Sequence, residues 1–437
     1  MLRPLEGIEK AFGNPFFSSN VQFSIKLENS NLVDKVVKNF NKIFLGLRLK
    51  VVDGHYAKTS DDETIGGIMK LPMWIQDCKA ACHWIEQNGT FPVDKRLTTI
   101  ASNDRIVVVS TNHIAADSGF IMNAVEHSLD DDIVNAYKSD ENLSPDEKMV
   151  PIPDSIAFKT EIERAERVKP NLHPNKLITS FPYDVNTKYL VDHSPKEIHF
   201  DDEIPIENLT CFDKKSKKPK QMNELLWTGI TINQNAMAKI KEGSSYKRQP
   251  LALPIIVDTR KFADDPSKLN WRNTNCVTAC NLLADPTDDM TIRDIFNLFR
   301  KDLNSHMKDG FYYWINNGNF TGEPGRAYGR NSGIGTVKIN RPIMDFFLQA
   351  VFAVSDKVKF EHKDILGLNL FSFTKMTPKK SIFCPTFYYD SSNQLMRETL
   401  VLKEAFTHFI TKVPIDTKYK DALDELQHFQ QNLLNEI

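Results

Sequence analysis

"RIVVVSTNHIAADSGF", residues 105–120, decides how the rest of this chain is read. Ile106 to Val109 are four consecutive aliphatic residues, the signature of a short buried strand. His113 follows within four positions, with Asp117 and Gly119 just beyond, ahead of the helical stretch "FIMNAVEHSL". The pattern predicts a buried strand, a turn presenting His113 at its end, and a helix capped at Asp117. A histidine and an aspartate four apart occur together in many proteins. On the plain reading His113 bonds a carbonyl and Asp117 only caps the helix. On the chemical reading, a neutral imidazole titrating near pH 6.5 takes a proton from a hydroxyl or amine attacking a carbonyl.

A carboxylate buried beside such a turn is costly unless a cation meets it, and arginine is the natural partner. The best candidate is Arg260, which follows the apolar run "LPIIVDT" at the expected end of another buried strand.

Outward from that turn the chain divides. Residues 1–137 mix helix and strand signals. "NSNLVDKVVKNFNKIF" is an amphipathic helix with Asn31 as its cap, and "LGLRLKVVDGHYAK" is a hairpin turning at Asp53-Gly54. "MWIQDCKAACHWIEQNG" is a helix stopped at Asn88-Gly89. Residues 138–222 are polar and punctuated by prolines, which predicts a crossover with little regular structure, ending in the basic "DKKSKKPKQ".

Residues 223–437 form a second half. Here "LLWTGITI" is predicted as a strand leading into a helical "NQNAMAKIKEG", and "LALPIIVDTRKF" as a buried strand. "TIRDIFNLFRKDLNSHM" is predicted as an amphipathic helix, and "TVKIN" as a strand after a Gly-rich loop. "SIFCPTFYYD" and "LMRETLVLKEAF" are predicted to pair as a hairpin around Ser391-Ser392-Asn393. The fold class expected is mixed α/β.

Composition excludes several functions. The 437 residues are 41% hydrophobic and 26% charged, ordinary for a globular protein. Fifty-five basic residues face fifty-seven acidic ones, so there is no electrostatic footprint for nucleic acid. No apolar run is long enough to span a membrane. The N-terminus "MLRPLEGIEKAFG" is too polar for a secretion signal, so the six cysteines are expected to be reduced thiols of a cytosolic protein.

No metal is expected. Cys78 and Cys82 share a helix face, but His83 lies about 100° round the helix from Cys82 and no second ligand pair follows. Cys276 and Cys280 have the same spacing and the same reading. "GEPGRAYG" has glycines without a strand before it or Rossmann spacing, so it is a loop rather than a nucleotide cradle. The C-terminal "DALDELQHFQQNLLNEI" is amphipathic with an acidic polar face, which favours packing against the body over an anionic membrane.

Four stretches, "LRPLEGIEKAFG", "NHIAADSG", "PIIVDTRKF" and "RNSGIGTVKINRPIMDFFLQ", resemble in that order the fungal alcohol O-acetyltransferases. Those belong to the superfamily of CoA-dependent acyltransferases with an HxxxD motif, which includes plant acyltransferases and condensation domains. The resemblance implies two chloramphenicol-acetyltransferase-like lobes with a tunnel between them, CoA entering from one face and the acceptor from the other. It implies acetyl-CoA as co-substrate, an alcohol or amine as acceptor, His113 as general base, and Asp117 turned away to pair with Arg260. Asn331 or Ser332 of "RNSGIG" is then the donor to the developing oxyanion. Lys375, Lys379 and Lys380 of "FTKMTPKKS" are the candidates for CoA phosphates. Some relatives reach the endoplasmic reticulum or lipid droplets through terminal amphipathic helices. A monomer is expected.

Two departures stand out. Ser118 follows the Asp where the family has Gly, with Gly119 next. Between Ile240 and Leu253 there is only "KEGSSYKRQPLA", where relatives carry a long apolar helix. A chain without that helix invites a third reading, a non-catalytic binding descendant of the fold.

Overall fold

The computed structural model describes residues 2–13, 17–136, 144–168, 197–248, 250–265, 270–308, 329–354, 368–390 and 396–436. The Gly-rich loop before Gly329 and the Ser391–Asn393 turn lie outside these residues.

The first half runs α1 (Ile8–Phe12), β1 (Phe17–Leu27), α2 (Val33–Ile43), β2 (Leu49–Val52), β3 (His55–Lys58), α3 (Asp61–Ile65), β4 (Ile68–Lys70), α4 (Cys78–Asn88), β5 (Thr98–Ser102), β6 (Ile106–Asn112), α5 (Ser118–Glu126) and α6 (Asp131–Ala136). All seven residues of β6 are buried, as its aliphatic run demands of a central strand. The β2–β3 hairpin turns at Asp53-Gly54, both at positive φ (48° and 70°), the twist-matched geometry that Asp-Gly favours. Asn31 does not cap α2. It lies in a 3-10 turn, Ser30–Leu32, that leads into the helix.

The described part of the middle segment is more regular than its prolines suggest. It holds α7 (Pro145–Lys148), α8 (Asp154–Ala157), α9 (Lys159–Val168), β7 (Glu197–Asp201), β8 (Ile204–Pro205), β9 (Phe212–Asp213) and β10 (Lys218–Pro219). Pro145 sits in the first turn of α7 behind a Ser144–Glu147 capping box, where proline helps a helix start. The basic run is exposed, with residues 214–217 linking β9 to β10.

The second half runs α10 (Met222–Glu242), β11 (Leu251–Asp258), β12 (Val277–Ala284), α11 (Ile292–Lys308), β13 (Gly329–Lys338), β14 (Ile343–Val354), β15 (Leu368–Met376), β16 (Ser381–Asp390), α12 (Met396–Lys412) and α13 (Tyr419–Glu436). Two predictions are corrected here. "LLWTGITI" is not a strand but the first half of α10, a 21-residue helix buried continuously from Glu224 to Ala238. A helix enclosed on all sides carries no amphipathic period, so its Thr and Ile residues mimic a strand. The helix ends at Glu242, at the start of the "KEGSSYKRQPLA" stretch, and packs against β11. Likewise "LMRETLVLKEAF" is not a strand but helix α12, rich in strong helix formers. Its Val401, Leu402, Ala405, Phe406, Phe409 and Ile410 are buried at helical spacing.

Strand order in the first sheet is β14-β1-β6-β5-β4, antiparallel except for β4–β5; in the second it is β12-β11-β13-β15-β16-β7, with β8 also on β16. Sequence order does not respect the two halves. β14 leaves the second half to pair with β1 over eleven residue pairs, and β7 and β8 of the middle segment join the second sheet.

The apolar core follows this exchange. One cluster lies under α10, α11, α12 and α13 on the second sheet. Another spans both halves, joining Phe23, Phe40 and Phe120 to Trp271, Phe346, Phe371 and Phe373. Helix α13 buries Tyr419, Ala422, Leu423 and Leu426 in the first cluster, with Phe429 and Leu433 packed against it. Its apolar stripe therefore faces the body of the protein. No helix among the described residues is long and apolar enough to cross a membrane.

Candidate active site

The site grows from the end of β6. Asn112, the last strand residue, pairs with Asn20 of β1, and the His113 amide donates to the Ser19 carbonyl at 2.7 Å. The Asn112 side chain then accepts from the Ile114 amide at 3.0 Å, while the Ala115 amide reaches the Asn112 carbonyl at 2.8 Å. These bonds close the turn that the sequence predicts.

Asp117 is the N-cap of α5 and is wholly buried. Its Oδ1 accepts from the Phe120 amide at 2.8 Å and from Arg260 Nη2 at 2.7 Å. Its Oδ2 accepts from the Cys276 amide at 2.5 Å, and its own amide donates to the Thr274 carbonyl at 2.7 Å. So α5 supplies one capping bond, and the segment before β12 grips the same residue from both sides.

Arg260, just past β11, is held in turn by the Asn273 carbonyl at 2.7 Å and Asp258 Oδ1 at 3.2 Å. Burial works against its charge, but Asp117, Cys276 and Asp258 outweigh it, so the guanidinium is held above its ordinary pKa. Gly119 is required here: a Cβ would meet Arg260 Nη1 at 2.5 Å and Asp258 Oδ2 at 2.7 Å.

His113 is partly exposed, yet its Nδ1 is sealed from solvent and meets no hydrogen-bond partner. Burial pushes the imidazole below its ordinary pKa, with the charge of Asp117 opposing. A histidine held neutral is in the form that accepts a proton. Its ring is stacked on Phe12, centroids 4.2 Å apart and planes 6° from parallel.

The two oxyanion candidates separate. Adjacent strand residues point to opposite faces. Asn331 is registered with Ile255 and Leu370, both in the core beneath α10 and α12. Ser332 is registered with Phe371, which packs toward the first half beside Phe120 and Trp271. Asn331 therefore lies on the helix-covered face, away from the junction between the halves, and Ser332 is the one that faces it.

The three lysines also separate. Lys375 is largely buried, with its ammonium 3.0 Å from Asp345 Oδ1 and 3.2 Å from Glu203 Oε1. Two carboxylates already neutralise it, so it is a poor phosphate ligand. Lys379 and Lys380 stand exposed in the turn between β15 and β16, which is held by Thr377.

Cys78 and Cys82 are buried thiols. Burial pushes Cys78 up to about 12 and raises Cys82, and Ser24 hydrogen-bonds to the Cys82 thiol and the Cys78 carbonyl. The side chain of Cys280 lies outside the described residues. No three His, Cys, Asp or Glu side chains among the described residues converge as a metal site requires. A cavity of about 620 Å³ opens at the far end of α5, between Val125–Asp132 and the β13–β14 turn at Lys338–Ile343, and none of the HxxxD residues lines it.

Sequence reasoning missed Phe12 and the strap Thr274–Asn275–Cys276. Neither has a local signal. Phe12 is a hundred residues from His113, and Cys276 contributes its backbone amide, which every residue type but proline supplies.

No family model matches this sequence, and no curated protein matches it. Solved structures do. Polyketide synthase associated protein 5 from Mycobacterium tuberculosis matches with a TM-score of 0.59 at 11% identity, over 94% of this chain and 98% of that one. The trichothecene 15-O-acetyltransferase TRI3 from Fusarium sporotrichioides matches with a TM-score of 0.59 at 11% identity, over 94% of both chains. The first condensation domain of the calcium-dependent antibiotic synthetase matches with a TM-score of 0.57 at 11% identity, over 96% of this chain and 98% of that one. At such identities the likeness is one of fold. The chain has the two-lobed, mixed α/β acyltransferase fold that these proteins share.

Proposed function

We propose that the protein is a CoA-dependent acyltransferase and, within that chemistry, an acetyl-CoA-dependent O-acetyltransferase that forms acetate esters from alcohols. The observation that supports this reading is the grip on Asp117. Arg260 and the Cys276 amide come from the second half of the chain and hold a carboxylate of the first, which occupies Asp117 and leaves the proton transfer to His113. The fold shared with an O-acetyltransferase and with condensation domains agrees with it.

In this mechanism acetyl-CoA and the alcohol meet at His113 through a passage between the lobes. With Nδ1 sealed, Nε2 takes the hydroxyl proton as the oxygen bonds to the thioester carbonyl carbon. The carbonyl electrons move onto oxygen, and Ser332 Oγ is the donor for that oxyanion. Collapse re-forms the carbonyl and breaks the C–S bond, and the departing thiolate takes the proton back from the imidazolium. The products are the ester and free CoA. No covalent enzyme intermediate is needed, because the thioester is already activated and the enzyme's task is alignment and deprotonation. Lys379 and Lys380 are the cations offered to the CoA phosphates.

Free thiol released from acetyl-CoA, measured with a panel of alcohols and amines, tests this. The expected result is turnover with an alcohol, reduced roughly 10²- to 10⁴-fold in His113→Ala. Turnover confined to amines moves the assignment to N-acetylation. Undiminished ester synthesis in the variant overturns the base, and CoA binding without turnover in either protein favours a binding role.

A further inference from the structure

We propose that Phe12 is a positioning residue that sets the plane of the His113 imidazole, held in place by a buried Arg3–Glu9–Tyr56 tether. The inference rests on the reading of His113 as the base.

A histidine that moves protons needs its ring fixed, and the usual device is a hydrogen bond from the second ring nitrogen to a carboxylate or carbonyl. Here Nδ1 is sealed from solvent and no other residue bonds it; the backbone group that acts on the ring is that of His113 itself. Asp117, four residues on, is occupied by Phe120, Cys276 and Arg260. It is the charged side chain whose field acts on the ring, and it does so without orienting it. The Phe12 ring lies against the imidazole plane, nearly parallel at 4.2 Å. A flat ring at van der Waals distance resists rotation of its neighbour, because turning either one drives an edge into a face.

Phe12 needs an anchor of its own, since α1 has five residues and a helix that short does not hold itself. The anchor is Glu9. Arg3 clasps its carboxylate with two bonds, Nη1 to Oε2 at 2.8 Å and Nη2 to Oε1 at 2.7 Å. The Glu6 amide adds a third at 2.9 Å, and Tyr56 Oη lies 2.9 Å from Oε1. That phenol also lies 3.2 Å from the Ile114 carbonyl, the residue directly after His113. Burial and the Glu9 charge raise the Tyr56 pKa, which keeps its hydroxyl a donor.

The Arg3 guanidinium sits 4.8 Å from the Tyr56 ring centroid, and its Nε donates to the Pro151 carbonyl at 3.0 Å. Gly13 lets the chain pass close behind: a Cβ there would meet Leu5 Cδ1 at 2.4 Å and Ile114 Cδ1 at 3.0 Å. The N-terminal segment is thus tied to the HxxxD turn at Phe12, Gly13 and Tyr56 at once.

The test uses the full chain with labelled histidine, His113 being identified by the resonance lost in His113→Gln. In wild type its ring protons should be displaced by the current of Phe12. Phe12→Leu keeps an apolar side chain but removes the flat ring. It should abolish that displacement and lower kcat on the order of 10²-fold, the scale expected for a catalytic group misplaced by an ångström. KM for acetyl-CoA and the urea midpoint should hold, and Phe12→Tyr should restore the signal and most of kcat. Unmoved His113 resonances in Phe12→Leu overturn the proposal, as does a kcat loss matched by an equal loss of folded protein. If Phe12→Leu does not fold, Glu9→Gln is read by the same resonance: displaced signals support the tether, unchanged ones overturn it. Wild type inactive on every acceptor removes the base assignment alone, because the resonance readout still decides whether Phe12 orients the ring.

Discussion

The imidazole of His113 and the carboxylate of Asp117 lie four residues apart and have opposite surroundings. Burial disfavours the charged imidazole, so its pKa lies below the ordinary 6.5 and the ring is mostly neutral at pH 7. kcat/KM on acetyl-CoA should therefore fall on the acid side as the imidazole protonates, with its half-point below the 6.5 of an unperturbed histidine. A half-point at or above 6.5 would contradict the burial. Asp117 belongs to a buried ion pair whose other partner is also mostly covered. Asp117→Ala leaves that guanidinium without its main counter-charge and should cost about 3–5 kcal/mol of stability in urea unfolding. A loss below about 1 kcal/mol would mean the grip between the two halves matters little to the fold.

Among the elements, α10 departs furthest from its sequence signal. Thr228, Ile230, Thr231 and Ile232 form a run with strand propensity inside a helix, because tertiary packing overrides a weak local preference. Ile230 has no exposed surface. Ile230→Ala should therefore cost about 2–5 kcal/mol. Lys239→Ala, at the solvated end and paired with the half-exposed Asp424, should cost under about 1 kcal/mol. Similar losses at both positions would argue against the helix being enclosed. The elements legible in sequence were those with a clear local signal: α11 with its apolar stripe, β6 with its aliphatic run, and the hairpin at Asp53-Gly54. Those that were not legible, α10 and α12, are enclosed by other elements or follow a segment without clear punctuation.

At the scale of the molecule, the decisive feature is β14, which starts from the second sheet's side of the chain and completes the first sheet. Phe346 on that strand is buried against Phe23 of β1 and Phe373 of β15, with centroids 6.4 and 5.5 Å away, so one side chain is shared by both sheets. The halves are therefore expected to unfold together. Phe346→Ala should lower stability by about 3–5 kcal/mol while circular dichroism and tryptophan fluorescence still report one coincident urea transition. Two separated transitions in the wild-type protein would mean the exchange does not couple the lobes. Domain boundaries drawn from composition miss this, since a strand exchanged between sheets has the same alternation as one that stays at home.

Taken alone, the sequence determined what depends on neighbours along the chain: a buried β6, a turn presenting His113 at its end, a helix capped at Asp117, and an arginine at the end of β11. Tertiary structure alone decided which groups those residues meet. It set Phe12 on the His113 ring, enlisted the Cys276 amide for Asp117, turned Ser332 rather than Asn331 toward the first half, and neutralised Lys375 with Asp345 and Glu203. The physical reason is range. Periodicity and capping act over a few residues, whereas stacking, burial and ion pairing join residues far apart in the chain, and their partners are chosen by packing.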